Sequence, residues 1–142
     1  MKYLEGIGGL FVQQQLQYES SWDKGLSDKD RNKIEEAFSK SLSLKEEGIQ
    51  FTVLWTAINH KGELLVTALV HNFLGQTCSF HDQCLQYKED NLLIAKHCFS
   101  LPTLMIPAKT SMPWTFIFPV GKLFQQPNWA NGQLFSSQND EY

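Results

Sequence analysis

Cys78, His81 and Cys84 stand three residues apart, and His97 and Cys98 follow further along the chain. Thiolates and imidazoles are ligands that zinc accepts. If residues 78–87 form a strand, however, side chains three apart point to opposite faces, so the three groups meet only in a loop or bulge. We therefore favour cysteines that pack as small apolar residues. A metal site at Cys78, His81 and Cys84 remains the alternative.

A cysteine nucleophile is the second chemistry that these residue types suggest, with Cys98 activated by His97 or His71. Such a site needs a third residue to orient the base and donors for an oxyanion. Neighbours on one strand point apart, and the chain has no serine-hydrolase, P-loop or zinc-protease motif. We therefore expect no enzymatic activity, no catalytic residues and no cofactor.

Charge and composition exclude other classes. The net charge is -3 over 142 residues, and the 12 Lys and Arg form no basic stripe, so nucleic acid is not expected as a partner. The apolar patch at 7–12 is broken by glycines and is too short for a secretory signal or a membrane span. Three cysteines are an odd number, which favours reduced thiols in a cytoplasm.

One amphipathic helix is predicted at about 27–40. Ser27 is a good N-cap, acidic residues occupy the first turn, and Ile34, Ala37 and Phe38 recur at helical spacing. Before this helix, the polar stretch with Leu16, Tyr18 and Trp22 predicts one short strand.

Period-two alternation begins after Gly48 and predicts a strand at 49–57, which forms a hairpin with residues 64–70. Residues 78–87 and 92–99 predict two more strands that pair with each other. Pro102 and Pro107 then predict a loop over 100–111.

Trp114, Phe116 and Phe118 alternate in a last strong strand, whose ends Pro113 and Pro119 are expected to mark. The tail, with Phe124, Trp129 and Phe135, predicts one more edge strand. These elements predict a mainly β fold, a two-sheet antiparallel immunoglobulin-like sandwich with one N-terminal helix. We place an N-terminal extension at 1–15, the domain at 16–136 and a frayed tail at 137–142.

Phe73 and Leu74 are large apolar residues in a turn where polar residues are expected. An exposed pair of this kind would form a compact anchor for a protein partner. The sequence also has more aromatic residues than one sandwich core obviously requires. We favour core or edge packing for all of them, and an exposed patch that binds a partner is the alternative.

The longest stretch that resembles a known family runs from Asn59 to Asn72, followed by Ile94-Ala95, Ile106-Pro107 and Pro113-Trp114-Thr115-Phe116-Ile117-Phe118-Pro119. It resembles the SLAP domain of Firmicutes, found in the S-layer assembly protein of the accessory Sec system, and covers about 16–135. The resemblance implies a non-catalytic accessory factor on the cytoplasmic side, peripheral to the membrane. It also implies a protein partner, either a secretion ATPase or an exported surface protein.

Two functions follow as hypotheses. The first is a protein-interaction domain that assists export or assembly of S-layer and other surface proteins. The second is a small metal- or ligand-binding regulator that uses Cys78, His81 and Cys84.

Overall fold

The computed structural model describes residues 13–42 and 47–137, so most of the predicted N-terminal extension and tail lies outside the described residues. Within those ranges the elements are β1 (Gln15–Leu16), α1 (Ser20–Gly25), α2 (Asp28–Ser41), β2 (Ile49–Ile58), β3 (Leu64–Asn72), β4 (Cys78–Glu89), β5 (Leu92–Ile106), β6 (Thr110–Phe118), a 3-10 turn (Val120–Lys122) and β7 (Gly132–Ser137).

The predicted amphipathic helix is confirmed as α2. The hydroxyl of Ser27 accepts a hydrogen bond from the Asp30 N–H at 3.1 Å, as an N-cap does, and Ile34 is fully buried. The predicted short strand is confirmed at Leu16, in β1, but does not extend to Trp22. Trp22 lies in α1, where the Glu19 carboxylate caps the helix by accepting from the Ser21 N–H.

Two sheets form the sandwich, as predicted. The first has strand order β1-β6-β3-β2, and the second has order β5-β4-β7. β1 pairs in parallel with β6, and the other pairs are antiparallel. The predicted hairpins, β2 with β3 and β4 with β5, are both confirmed. Asp90 and Asn91 form the tight turn of the second, with φ values of 52° and 68° that suit the twist of a two-residue hairpin.

The predicted loop at 100–111 is largely wrong, because β5 continues to Ile106. In its ladder with β4, Phe80 pairs with Leu101 and the neighbouring Ser79 pairs with Met105, so residues 102–104 bulge out. Pro102 is tolerated there, since a bulge on an edge strand needs no N–H from it. Pro107 does fall in the following turn.

The prediction that Pro113 begins its strand is wrong. Pro113 lies inside β6, opposite Leu69. Two residues earlier, the Ser111 carbonyl accepts the Gln17 N–H on the β1 side. Backbone groups two residues apart on a strand point the same way, so the nitrogen of Pro113 also faces this outer edge and not β3. Pro119 does follow the last residue of the strand, as predicted.

The core fills the space between the sheets, and α2 lies against the opposite face of the first sheet. Val66, Ala68 and Val70 of β3 point into the core. Leu69 and His71 point the other way and are also completely buried. The N-terminal segment with α2 therefore covers this half of the outer face and makes a third layer.

Candidate functional site

Cys84 and Cys98 lie directly opposite each other in β4 and β5 and are joined by a disulfide. Cys78 is the remaining thiol; it is half-buried, and burial raises its pKa. The expectation of reduced thiols therefore fails for two of the three cysteines. The sequence pattern missed the pair because only the ladder register shows that residues 84 and 98 are neighbours.

The alternative metal site is not supported by this geometry. The sulfur of Cys84 is bonded to Cys98, while Cys78 packs against the core and His81 is exposed on a bulge. In the described part of the chain, the atoms that do converge belong to Asp82, Cys84 and Cys98, within 4.8 Å of one another. Reduction would give two thiolates and one carboxylate, one ligand short of a closed structural zinc site.

The cysteine–histidine nucleophile is not formed either. The Cys98 sulfur belongs to the disulfide, and the neighbouring His97 points to the other face of β5. There its ring packs edge-on against the Phe99 ring, with centroids 4.8 Å apart. Burial and the nearby Lys122 lower the pKa of His97. His71 lies in the other sheet, on the face that turns away from Cys98.

A buried network of hydrogen-bonded side chains lies beneath α2, and the sequence pattern did not predict it. The His71 ring bonds Ser111 Oγ through Nδ1 at 2.7 Å and Thr52 Oγ1 through Nε2 at 2.8 Å. Gln14 extends this network by donating hydrogen bonds to Ser111 Oγ and to the Asn72 carbonyl. Burial lowers the pKa of His71 to about 4, so the imidazole is neutral near pH 7. These hydrogen bonds hold the N-terminal segment against the first sheet.

Phe73 is not part of an exposed pair. Its side chain is only 4% exposed, and its ring stacks on His71 with centroids 5.7 Å apart. The side-chain amide of Asn72 shapes this turn so that Phe73 points inward. Its NH2 group donates hydrogen bonds to the carbonyls of Gln76 and Ile106, and its oxygen accepts one from the Leu74 N–H. Leu74 is 38% exposed, and its role in binding stays a prediction.

Solvent-exposed apolar side chains cluster at one end of the sandwich. Of the nine large apolar side chains that are exposed among the described residues, five lie at the end formed by the β2–β3 turn, the β4–β5 turn and the 119–131 connection. We call this surface the apolar end; its members are Ile58, Leu92, Val120, Phe124 and Trp129. Ile58, Val120 and Phe124 border one cleft of about 510 Å³.

A buried carboxylate holds the apolar end in shape. Glu89 is 2% exposed, and its oxygens accept hydrogen bonds from the N–H groups of Asn128 and Trp129 and from the Tyr87 hydroxyl. Burial and this carboxylate raise the pKa of Tyr87. Trp129 takes the left-handed conformation, with φ of 66°, and presents its side chain 51% exposed. The loop is therefore fixed around an outward-facing indole.

A family comparison decides what kind of domain carries these features. The SLAP domain family matches residues 16–132, from the second residue of β1 to the first residue of β7. The chain belongs to the SLAP domain family. No curated protein and no solved structure shows significant similarity to it.

The most distinctive strand of this SLAP domain, β6, supplies the centre of the core. Phe116 and Phe118 are fully buried, and both rings contact Phe99 of the facing sheet, with centroids 5.4 and 5.2 Å apart. Trp114 is half-buried and packs against this cluster. Phe116 and Phe118, two of the motif residues that carried the resemblance, thus form part of the core.

Among the described residues, no helix of this SLAP domain combines the length and the apolar character needed to cross a membrane.

Proposed function

We propose that this SLAP domain is a non-catalytic accessory module that binds another protein through its apolar end. In the process that the family name points to, it assists the export or assembly of S-layer or other surface proteins. Its partner there is the secretion ATPase or the exported protein itself.

The observation that carries this proposal is the fixed exposure of Phe124 and Trp129. Phe124 is 60% exposed and Trp129 is 51% exposed. Exposed apolar clusters mark contact surfaces, and aromatic residues carry much of the binding energy at interfaces. A loop that is tied by a buried carboxylate loses little further freedom on binding, which favours affinity.

Affinity capture from the native host tests the proposal, with mass spectrometry to identify the captured proteins. The tagged wild-type domain is expected to recover the secretion ATPase or an exported surface protein. The double substitution Phe124→Ser with Trp129→Ser is expected to lower recovery about tenfold or more, since two anchors are lost.

The matched control is Met105→Ser. Met105 is 52% exposed but lies at the opposite end of the sandwich, next to the residue that pairs with Cys78. Equal recovery by the wild type and the double variant, or an equal loss in the Met105 variant, would count against the apolar end.

A further inference from the structure

The outer edge of β6 carries backbone groups that point away from the sheet. The ladder between β6 and β3 runs without a register shift from Thr110 to Phe118, so the direction of the backbone groups alternates strictly. The Ser111 carbonyl faces β1, where it accepts the Gln17 N–H. By the same alternation, the N–H and carbonyl groups of Thr115 and Ile117 face this edge.

The first part of the edge already holds a strand. β1 adds to β6 in parallel, with Gln15 opposite Thr110 and Leu16 opposite Ser111. The chain then turns away into α1. Pro113 has no N–H, and its nitrogen faces the edge just beyond β1. For the described residues, no backbone hydrogen bond outside the strand ladders reaches Thr115 or Ile117.

A cleft runs beside this free stretch. It has a volume of about 310 Å³ and separates β6 from β5, the facing edge strand of the second sheet. Apolar groups of both strands line it, among them Leu101 and Phe99 on β5 and Trp114 and Phe116 on β6. On the outer face of the same stretch, Ile117 is 46% exposed.

We propose that the β6 edge at 113–117 binds an extended apolar segment of another polypeptide, which adds to the first sheet as a strand. An extended backbone can satisfy unpaired N–H and carbonyl groups in strand geometry. The pairing of β1 with the first part of β6 is an example of such strand addition at this same edge. Alternate side chains of the guest enter the cleft between β5 and β6, while the others lie beside Ile117 and Thr115.

This inference rests on the proposed function, since it assumes that the domain binds a protein, and it adds how part of that protein is held. A segment in extended form is what an unfolded export substrate presents. The occupant is therefore a segment of an unfolded chain and not the surface of a folded protein.

Proline substitution at Thr115 tests the edge directly. Thr115→Pro removes an N–H that faces the edge and leaves the ladder with β3 intact, as Pro113 does two residues earlier. Thr115→Val is the matched control, because both variants lose the hydrogen bond between the hydroxyls of Thr115 and Thr67 (2.7 Å). If Thr115→Pro does not fold, Ile117→Pro with Ile117→Val replaces the pair.

The probe is a labelled peptide of about eight residues, a usual strand length, with valine and phenylalanine alternating with threonine between terminal lysines. Fluorescence anisotropy is expected to show binding by the wild type and by the valine variant, and about tenfold weaker binding by the proline variant. The same peptide with alternate backbone amides N-methylated is expected to bind about tenfold less. Amide exchange at Thr115 and Ile117 is expected to slow when the unmodified peptide is bound.

Equal binding of the methylated peptide, or unchanged exchange at both amides, overturns the inference. So does a stable dimer by light scattering that Thr115→Pro disrupts, because a second copy would then be the occupant. If the variant with Phe124→Ser and Trp129→Ser loses its partner while Thr115→Pro keeps both partner and peptide, the proposed function stands and only the edge inference fails.

Discussion

Individual polar residues decide how the layers of this domain are joined. His71 and Glu89 are both buried, and each holds chain segments that are distant in sequence, one beneath α2 and the other at the apolar end. Buried polar groups are costly unless they are hydrogen-bonded, so their partners are as important as the residues themselves. Each therefore gives a measurable effect on stability.

His71 should make the domain less stable in mild acid. Its pKa is about 4 in the folded chain, against about 6.5 when unfolded. The unfolded state therefore takes up the proton first as the pH falls below about 6.5, and the free energy of unfolding decreases down to about pH 4. The total loss is on the order of 3 kcal/mol.

Urea unfolding between pH 7 and pH 4 measures this loss. His71→Gln keeps a side chain that can hydrogen-bond but does not titrate in this range. Its unfolding free energy should fall less over the same interval; parallel curves for the two proteins would assign the acid sensitivity to another group.

Glu89→Ala should destabilise the domain by about 2–4 kcal/mol, because it leaves the partly buried N–H groups of Asn128 and Trp129 without their acceptor. Asp90→Asn is the control, since Asp90 is the exposed neighbour and asparagine tolerates its left-handed backbone. The melting temperature of the control should stay close to that of the wild type. A Glu89→Ala protein that melts with the control would mean that the loop needs no anchor.

At the scale of elements, the sequence predicted those whose local signals agree with their surroundings. Ser27 and the spacing around Ile34 specify α2, and alternation specifies β2 and β3. Prolines misled the prediction at Pro102 and Pro113, because both occupy edge positions where a missing N–H does no harm. Whether a strand lies at an edge is decided by the order of strands in the sheet, which the local pattern does not contain.

The same limit applies to the candidate site. Phe124 and Trp129 were visible in the sequence only as parts of a tail strand. The exposure of Trp129 depends on Glu89, some 40 residues away along the chain. The disulfide likewise depends on the register of β4 and β5.

Removing the cap of α2 should cost about 1 kcal/mol. In Ser27→Ala the Asp30 N–H loses its acceptor and the helix start is left to water. Ser39→Ala lies on an exposed turn of the same helix and should be neutral or slightly stabilising, since alanine is the better helix former. Chemical denaturation of the two variants compares them; equal stabilities would show that the cap contributes nothing.

The disulfide gives a prediction for the β4–β5 hairpin. Protein purified without reductant, then unfolded and alkylated, should carry one label, at Cys78. After reduction it should carry three, and Cys78→Ser should carry none before reduction. Reduction should also lower the unfolding free energy by about 3 kcal/mol, as for a loop of this size, since the cysteines are 14 positions apart in sequence. Three labels without reductant would show that the bond does not form.

At the scale of the whole molecule, the N-terminal segment belongs to the domain from Gln14 onward. Gln14 is buried and binds β3 and β6, and β1 extends the first sheet. These contacts lead us to expect the boundary between extension and domain before residue 14 instead of after residue 15.

Two truncations check this boundary. Deleting residues 1–12 should leave the melting temperature nearly unchanged, whereas deleting 1–17 removes Gln14 and β1 and should lower it by several degrees or more. Differential scanning calorimetry on both proteins gives the comparison. Equal melting temperatures would place the start of the domain after β1.

The order of strands also has a consequence for synthesis. β3 finds its central partner, β6, only after the whole β4–β5 hairpin, and β1 waits for the same strand across nearly a hundred residues. Contacts so distant in sequence slow folding toward milliseconds to seconds, because the loop must close before the pairing is formed. On the ribosome, we therefore expect the first sheet to be completed only after Phe118 has left the exit tunnel.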